Sequence, residues 1–353
     1  MNNKMQDCDK SKIFDDYKLL NLMVNDASKA KGVHRPGPYW LTRTKCALKD
    51  IKKFGLQDFR GMKSVTGTSF SDNFYVDIRG SYNFGLRPAI TNLFRYVYPF
   101  DKFFDAQVRL TASYFDLANL YKNQYLYNNQ RVKYLLSKYD INFETTRGGC
   151  LSFLEKDSVK IAHHYLQLLD TLDHIDNKVC LADKKACFEI GGGFGVNTHL
   201  LVEIFKIKKI IYLDIVPNLY VGTQYLKSFY GEKVIDYRRI QNRDVIKFAK
   251  NNDLEIFCIA PHQIDKIESE VDFFHNAHSF VEMPEEVIIN YVKIVESKLA
   301  KNNSAISIVS YGDPDLNTTI HPEKLPDFFT KTAEKFNVPT LTPEKMNFHY
   351  IIQ

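Results

Sequence analysis

The 353-residue sequence predicts an α/β protein with an open, mainly parallel sheet that follows a mainly helical, aromatic-rich N-terminal part. From about residue 185 onwards, short apolar runs alternate with amphipathic stretches. Short apolar runs of this kind predict buried strands, and the stretches between them have the apolar spacing of helices. Because strand and helix alternate, the crossovers should be right-handed, and ligands should bind at the carboxyl ends of the strands.

The predicted elements can be given in chain order. Helical spacing before residue 185 predicts helices over 105–127 and 157–175, so His163 and His164 would lie in the middle of a helix. Adjacent helical residues face about 100° apart, and at most one of these histidines should point into a pocket. The turn-rich segment 34–40 is expected to be a surface loop, with a course across a pocket as the alternative. After residue 185, strands are predicted over 186–190, 209–216, 255–261, 271–277 and 305–311, and helices over 196–205, 219–230 and 284–300.

Composition excludes several classes of protein. Hydrophobic residues make up 44% and charged residues 25%, so the chain can bury a sizeable core. The net charge of +5 is spread thinly among interleaved acids, which argues against nucleic-acid binding. The N-terminus has no signal-peptide pattern and no run reaches about 18 apolar residues, so we expect a soluble, cytoplasmic protein without a membrane partner. The six cysteines form no CxxC pair, which argues against a zinc site or a disulfide framework.

A dense glycine stretch is the strongest local signal. Gly191, Gly193 and Gly195 follow the predicted strand 186–190 and precede a predicted helix. Side chains there would block a ligand lying across the strand end. The G-x-G-x-x-G spacing of dinucleotide-binding folds is absent. Glu189 stands just before the loop, where a carboxylate would repel a pyrophosphate but could help hold a cationic ligand.

The stretch FEIGGGFG resembles the first motif of class I S-adenosylmethionine (SAM)-dependent methyltransferases. The resemblance implies a Rossmann-like sheet in which Glu189 and the three glycines flank the methionine end of the cofactor. A second acid of that family holds the ribose hydroxyls, and Asp214, 23 residues after Gly191, matches it. One helix between adjacent strand ends gives the same spacing. The alternative role for Asp214 is to cap the following helix.

A narrower resemblance comes from YLDIVPNLYVGTQYLKSFYG and VDFFHNAHSFVEMPEEVIINYVKIVESKL, which are similar to a bacterial group of sugar O-methyltransferases. It implies a SAM-dependent O-methyltransferase acting on a sugar or glycan hydroxyl. Residues 1–150 would be a mainly helical acceptor-binding or cover region, and 151–353 the SAM-binding domain. The alternatives are a methyltransferase for a non-sugar small molecule, or an inactive binding protein with the same fold. The oligomeric state stays open, a homodimer included.

Two segments could supply the third strand of the sheet. The stretch 230–253 is longer than one crossover needs, so the third strand could be 233–240 or 255–261, and we prefer the latter. His262 and Gln263 would then approach the adenine. In the other arrangement, Gln241 and Asn242 would serve that role.

The stretch FHNAHSFVEM ends the predicted fourth strand, where the acceptor should meet the cofactor. A sugar hydroxyl needs a general base, and histidine is best matched to that role. His278 is the first candidate and His275 the rival. Glu282 could orient the imidazole or accept the proton itself, although it could instead serve only to start the next helix.

The sequence also predicts whether a metal ion takes part and which residues hold the acceptor. A metal-assisted variant would use Asp272, His275, His278 and Glu282, but their spacing is not that of a clear ligand set, so we predict no metal. Sugars are held by aromatic faces and hydrogen-bonding side chains. Tyr75, Arg79, Arg87 and His163 are therefore the predicted acceptor-binding residues.

Overall fold

The computed structural model describes residues 12–62, 65, 125–150, 152–300, 303–311, 319–331, 333–338 and 347–352. In its N-terminal part, helices α1 (Tyr17–Lys29), α2 (Pro38–Phe54) and α3 (Gln130–Lys138) are present. Asp16 caps α1 by accepting a hydrogen bond from the Leu19 N–H at 3.0 Å. The described N-terminal residues are thus mainly helical, as predicted. Of the predicted helix 105–127, residues 105–124 lie outside the described residues.

A small antiparallel hairpin precedes the main sheet. Strands β1 (Phe153–Lys156) and β2 (Val159–Ala162) pair with each other, and helix α4 (His163–Val179) follows at once. The prediction of one helix over 157–175 was therefore wrong for its first six residues. Leu154 and Ile161 face each other across the hairpin, and both are buried, so pairing outweighs the helical spacing. His163 and His164 consequently lie in the first turn of α4 and not in mid-helix.

The main sheet has the predicted α/β architecture. In chain order its elements are β3 (Ala186–Ile190), α5 (Val196–Glu203), β4 (Lys209–Leu213), α6 (Asn218–Tyr230), β5 (Val234–Ile235), α7 (Tyr237–Gln241), β6 (Glu255–Ile259), β7 (Phe273–Ala277), α8 (Glu285–Lys298), β8 (Ala305–Tyr311), β9 (Ala333–Val338) and β10 (Asn347–Ile352). In the described residues the order is β5-β6-β4-β3-β7-β8-β10-β9. The strands from β5 to β8 are parallel to their neighbours, whereas β10 runs antiparallel to β8 and β9. The predicted Rossmann-like class is confirmed.

Both candidate segments for the third strand enter the sheet. β6 pairs with β4, so residues 255–259 form the third strand, as we predicted in preference to 233–240. Residues 234–235 add a short edge strand outside it. The next residue, Asp236, leaves the sheet and starts α7 by accepting a hydrogen bond from the Arg238 N–H at 3.1 Å.

Side chains of the central strands alternate between two hydrophobic clusters. Cys187 and Tyr212 belong to the cluster shared with α4, α5 and α6. Phe188 and Ile211 belong to the cluster that α8 covers. Because both faces are buried, the strands read as nearly continuous apolar runs. Among the described residues no helix is both long and apolar enough to cross a membrane.

Helix α1 packs against the sheet domain. Its apolar residues join the cluster of α6, and the Asp16 N–H donates to the Tyr220 hydroxyl at 2.8 Å. Asp26 Oδ2 accepts hydrogen bonds from the Tyr237 hydroxyl at 3.0 Å and from Gln241 Nε2 at 2.6 Å. Helix α1 therefore lies over α6 and α7, and the domain boundary at residue 150 stays a prediction.

Candidate functional site

The glycine loop turns sharply between β3 and α5. Gly191, Gly193 and Gly195 have φ values of +74°, +62° and +93°, which favour glycine. A Cβ atom at Gly191 would overlap the Ser279 side chain, and one at Gly192 would lie 2.6 Å from the Tyr212 ring. The packing of Ser279 and Tyr212 therefore requires glycine at positions 191 and 192, whether or not a ligand requires it as well.

Asp214 follows β4 and holds the glycine loop. Its Oδ2 accepts a hydrogen bond from the Gly193 N–H at 2.8 Å, and its Oδ1 accepts one from the Ile215 N–H at 2.7 Å. The side chain is 5% exposed, and burial raises the pKa of Asp214 to about 8 against the effect of these two bonds, with a contribution from Glu189. Helix α6 is preceded by Pro217, so Asp214 is not its N-cap. Each oxygen can accept a further hydrogen bond from a ligand hydroxyl.

Glu189 is a second buried acid beneath the loop. Its Oε2 accepts a hydrogen bond from the Thr198 hydroxyl at 2.6 Å, whereas its buried Oε1 has no hydrogen-bond partner among the described residues. Burial raises the pKa of Glu189 to about 7, and the Thr198 bond opposes the shift. Two carboxylates close together without a cation favour a ligand that brings positive charge.

The residues after β6 adjoin Asp214. The Asp214 N–H lies 3.4 Å from the Ile259 carbonyl oxygen, and His262 follows three residues later. His262 is half-buried, its Nε2 lies 2.9 Å from the Tyr237 hydroxyl, and burial lowers its pKa. Gln263 is 1% exposed, and its Oε1 accepts a hydrogen bond from the Ala260 N–H at 2.9 Å. Gln263 thus stabilises the turn that follows β6, whereas His262 lies nearer the protein surface.

His278 lies just past β7, at the same edge of the sheet. Its φ is +66°, an uncommon value for a residue with a side chain, and its N–H donates to the Val309 carbonyl at 2.7 Å. The imidazole packs on the Tyr311 ring, with 5.6 Å between ring centroids. The Tyr311 hydroxyl donates to Glu282 Oε1 at 2.9 Å. Glu282 therefore contacts Tyr311 from a separate turn, Phe280–Glu282, and does not belong to the first turn of α8.

His275 lies within β7, away from this edge. It pairs in register with Glu189, is 0% exposed and stacks on Phe273. Burial lowers the pKa of His275 to about 4. Neither ring nitrogen has a hydrogen-bond partner among the described residues. Strand alternation thus turns His275 into the core, where an acceptor does not reach.

Asn276 and Ser279 were not predicted as site residues, yet they fix the turn that carries His278. Asn276 Nδ2 donates to the Ile190 carbonyl at 2.9 Å and to Ser279 Oγ at 2.6 Å. Asn276 Oδ1 accepts a hydrogen bond from the Phe280 N–H at 3.2 Å. The N-x-x-S spacing in FHNAHSFVEM was the available signal. These bonds tie the end of β7 to the end of β3.

The N-terminal part covers the glycine loop. Phe194, within the loop, packs edge-on against Phe59 at 5.2 Å, and the Arg60 guanidinium lies 5.3 Å from its ring centroid. Arg60 is 1% exposed and donates to the Thr145 carbonyl at 2.6 Å. Gly37 packs against Pro284, where an added Cβ would lie 3.1 Å from Cδ. The prediction of a loop over 34–40 was wrong for residues 38–40, which form the first turn of α2 because Pro38 suits the start of a helix.

The predicted acceptor-binding residues are placed only in part. Tyr75, Arg79 and Arg87 lie outside the described residues. His163 is 1% exposed, and its Nδ1 lies 2.7 Å from Ser152 Oγ. His164 packs on Phe194 at 5.5 Å and is the nearer of the two histidines to the loop.

The metal-assisted alternative requires the side chains of Asp272, His275, His278 and Glu282 to lie close together. Asp272 instead accepts hydrogen bonds from the Lys185 and Ala186 N–H groups, at the opposite end of β7 from His278. Within the described ranges, no group of three or more His, Cys, Asp or Glu residues is placed to hold a metal ion.

No protein-family model matches the chain, and no curated protein matches it. Part of the chain is similar to solved methyltransferase structures. N-methyltransferase NodS from Bradyrhizobium japonicum WM9, in complex with S-adenosyl-l-homocysteine, is 12% identical over 53% of this chain and 86% of its own, with a TM-score of 0.38. Magnesium protoporphyrin IX methyltransferase (ChlM) from Synechocystis PCC 6803, with bound SAM, is 8% identical over 54% and 85%, with a TM-score of 0.35. Mitomycin 7-O-methyltransferase MmcR is 9% identical over 54% and 58%, also at 0.35. Likeness at this level establishes neither a family nor an activity.

The buried acids predict a pH-dependent stability. Because the folded-state pKa of Asp214 lies above its ordinary value, the folded chain holds a proton that the unfolded chain has lost. The free energy of unfolding should therefore fall as pH rises, by up to about 1.4 kcal/mol per pH unit, until Asp214 ionises near pH 8. Asp214→Asn should make the fall shallower, since the amide oxygen still accepts from Gly193. Urea unfolding from about pH 7 to about pH 8.5 measures this, and equal slopes for the two proteins would contradict it.

Proposed function

We propose that this chain is a SAM-dependent O-methyltransferase that methylates a hydroxyl of a sugar or glycan, with His278 as general base. The observation that carries the proposal is the junction of β3 and β4, where the Asp214 carboxylate holds the Gly193 N–H at 2.8 Å. A glycine loop and a buried acid at adjoining strand ends form a cleft for a ligand with hydroxyl groups. The sequence resemblance supplies the cofactor class.

The residues present fit this cofactor on grounds of charge. SAM carries a sulfonium, an α-ammonium group and a ribose diol. Asp214 offers carboxylate lone pairs to the diol, and Glu189 has a buried oxygen without a partner among the described residues. A pyrophosphate in the same place would face two acids and be repelled. His262 keeps its proposed role beside the adenine.

When bound, SAM supplies a methyl group on a positively charged sulfur. The chain's own contribution is to align the acceptor, exclude water and remove its proton. His278 is the proposed base because it follows β7 at the carboxyl edge, whereas His275 faces the core. The His278 N–H donates to the Val309 carbonyl, which fixes the main chain that carries the imidazole at this edge.

The sugar acceptor rests on the resemblance and on the aromatic N-terminal region. Phe59 and Arg60 lie over Phe194, so residues before the sheet border the space above the loop. Tyr75, Arg79 and Arg87 keep their proposed role in holding the acceptor. His163 no longer has one, because it is buried against Ser152.

We expect SAM to bind with micromolar affinity, as is usual for a preformed cleft. Binding to the ionised acids should release protons, so the affinity should rise as pH increases through 7 and 8, where Glu189 and Asp214 titrate in the free chain. Asp214→Ala should weaken binding tenfold or more, since it removes a charged hydrogen-bond acceptor. Titration calorimetry in two buffers of different ionisation enthalpy measures both effects.

Asp236→Asn is the matched control, because Asp236 is also a buried aspartate that follows a strand directly. It should leave SAM affinity unchanged. Binding of NAD in place of SAM, or equal weakening by both variants, would rule out the proposed cofactor site.

His278→Ala should lower turnover by about a hundredfold or more, with SAM affinity nearly intact, because only proton removal is lost. The assay is methyl transfer to a panel of nucleotide sugars, free glycans and non-sugar phenols, read by mass. His321→Ala, an exposed histidine, is the control. Full turnover in His278→Ala would show that the proton leaves by another path, and methylation of the phenols alone would replace the sugar acceptor.

A further inference from the structure

Tyr311 is the side chain that joins the two predicted catalytic residues. It is the last residue of β8, the strand next to β7. Its ring lies 5.6 Å from the His278 imidazole, with 33° between the ring planes. Its hydroxyl donates to Glu282 Oε1 at 2.9 Å. Glu282 is 4% exposed and Tyr311 is half-buried, so the bond is partly shielded from water.

The backbone of His278 does not by itself set the direction of the imidazole. The N–H bond to Val309 fixes the main chain, and the χ1 and χ2 angles of the side chain depend on the groups packed around the imidazole. The Tyr311 ring, tilted by 33° against the imidazole, is one of these groups and restricts both angles. A tyrosine whose hydroxyl is bound to a buried carboxylate cannot easily turn away.

We propose that Tyr311 is a positioning residue for His278: its ring sets the plane of the imidazole, and its bond to Glu282 fixes the ring. The proposal rests on the proposed function. When the acceptor hydroxyl gives its proton to His278, the imidazolium that forms lies against the π face of Tyr311, an arrangement that favours the charged form. Glu282 then acts through Tyr311 and takes no proton itself.

Other titratable groups surround this pair. His349 on β10 is buried, which lowers its pKa to about 3, and His278, His174 and His275 contribute to the shift. His349 is therefore neutral at the pH of an assay and brings no second positive charge next to His278. Among the described residues, the groups to consider in a pH profile include Glu282, Tyr311, His349, His174 and His275.

The test compares three variants of the full chain. Tyr311→Phe keeps the ring and loses the bond to Glu282, whereas Tyr311→Leu loses both. Glu282→Gln keeps an oxygen that accepts from Tyr311 and removes the charge. Tyr230→Phe is a matched control, because the Tyr230 hydroxyl also donates to a glutamate, Glu203, at 2.9 Å, and its ring lies 5.7 Å from a histidine, His199.

Two readouts are needed: kcat with SAM affinity, and the imidazole resonances of His278 in histidine-labelled protein, assigned from their loss in His278→Ala. We expect kcat to fall about thirtyfold in Tyr311→Leu and several-fold in Tyr311→Phe, with SAM affinity unchanged. The titration midpoint of His278 should move about half a pH unit down in Tyr311→Leu, because the ring no longer stabilises the imidazolium. Tyr230→Phe should stay close to wild type in both readouts, and Glu282→Gln, which keeps an acceptor for the Tyr311 hydroxyl, should lose less activity than Tyr311→Phe.

Several outcomes would overturn the proposal. If Tyr311→Leu left both kcat and the His278 resonances unchanged, Tyr311 would not position the imidazole. If Glu282→Gln lost as much activity as Tyr311→Leu, the carboxylate would act directly. If the wild-type chain transferred no methyl group, the proposed function would fail. The imidazole resonances would still show whether Tyr311 changes the titration midpoint of His278.

Discussion

The candidate site depends on how one residue, Gly193, is held. Asp214 binds its N–H at 2.8 Å, and the Tyr212 hydroxyl donates to its carbonyl at 2.5 Å. Tyr212 and Asp214 are two positions apart at the end of β4, so they extend to the same side of the sheet. Gly192 and Gly222 leave the room that the Tyr212 ring needs. The shape of the loop is therefore set by β4, the neighbouring strand, more than by the loop's own sequence.

This arrangement has an electrostatic cost. Asp214 and Glu189 are both buried at the loop, and burial raises the pKa of each; Glu189 adds to the shift of Asp214. Backbone N–H groups donate to both oxygens of Asp214, and the Thr198 hydroxyl donates to one oxygen of Glu189. The other, buried Glu189 oxygen has no hydrogen-bond partner among the described residues. A positively charged ligand offsets this cost directly. We therefore expect the same groups that lower the stability of the free chain at alkaline pH to favour binding of a cation.

The sequence predicted the sheet well because its strands are buried on both faces. The runs 186–190 and 305–311 match β3 and β8 residue for residue. The hairpin at 153–162 was missed because its stability comes from the pairing of Leu154 with Ile161, which helical spacing in 157–175 concealed. Alternation placed His275 and Asn276 on opposite faces, but it did not say which face the core covers. Tyr311 was missed because its partner, Glu282, is 29 residues away and pairs with it only through the fold.

The covering of the site explains why the cofactor class was easier to infer than the acceptor. Residues before the sheet contact its carboxyl edge near three strands: Asp26 reaches Tyr237 beside β6, Phe59 packs on Phe194 after β3, and Gly37 packs on Pro284 beyond β7. The sheet supplies the loop and the acids, and it does so through short motifs that the sequence displays. The cover is built by side chains far apart in sequence. We therefore propose that selectivity for the acceptor belongs to the N-terminal part, whose contacts with the sheet local sequence patterns do not display.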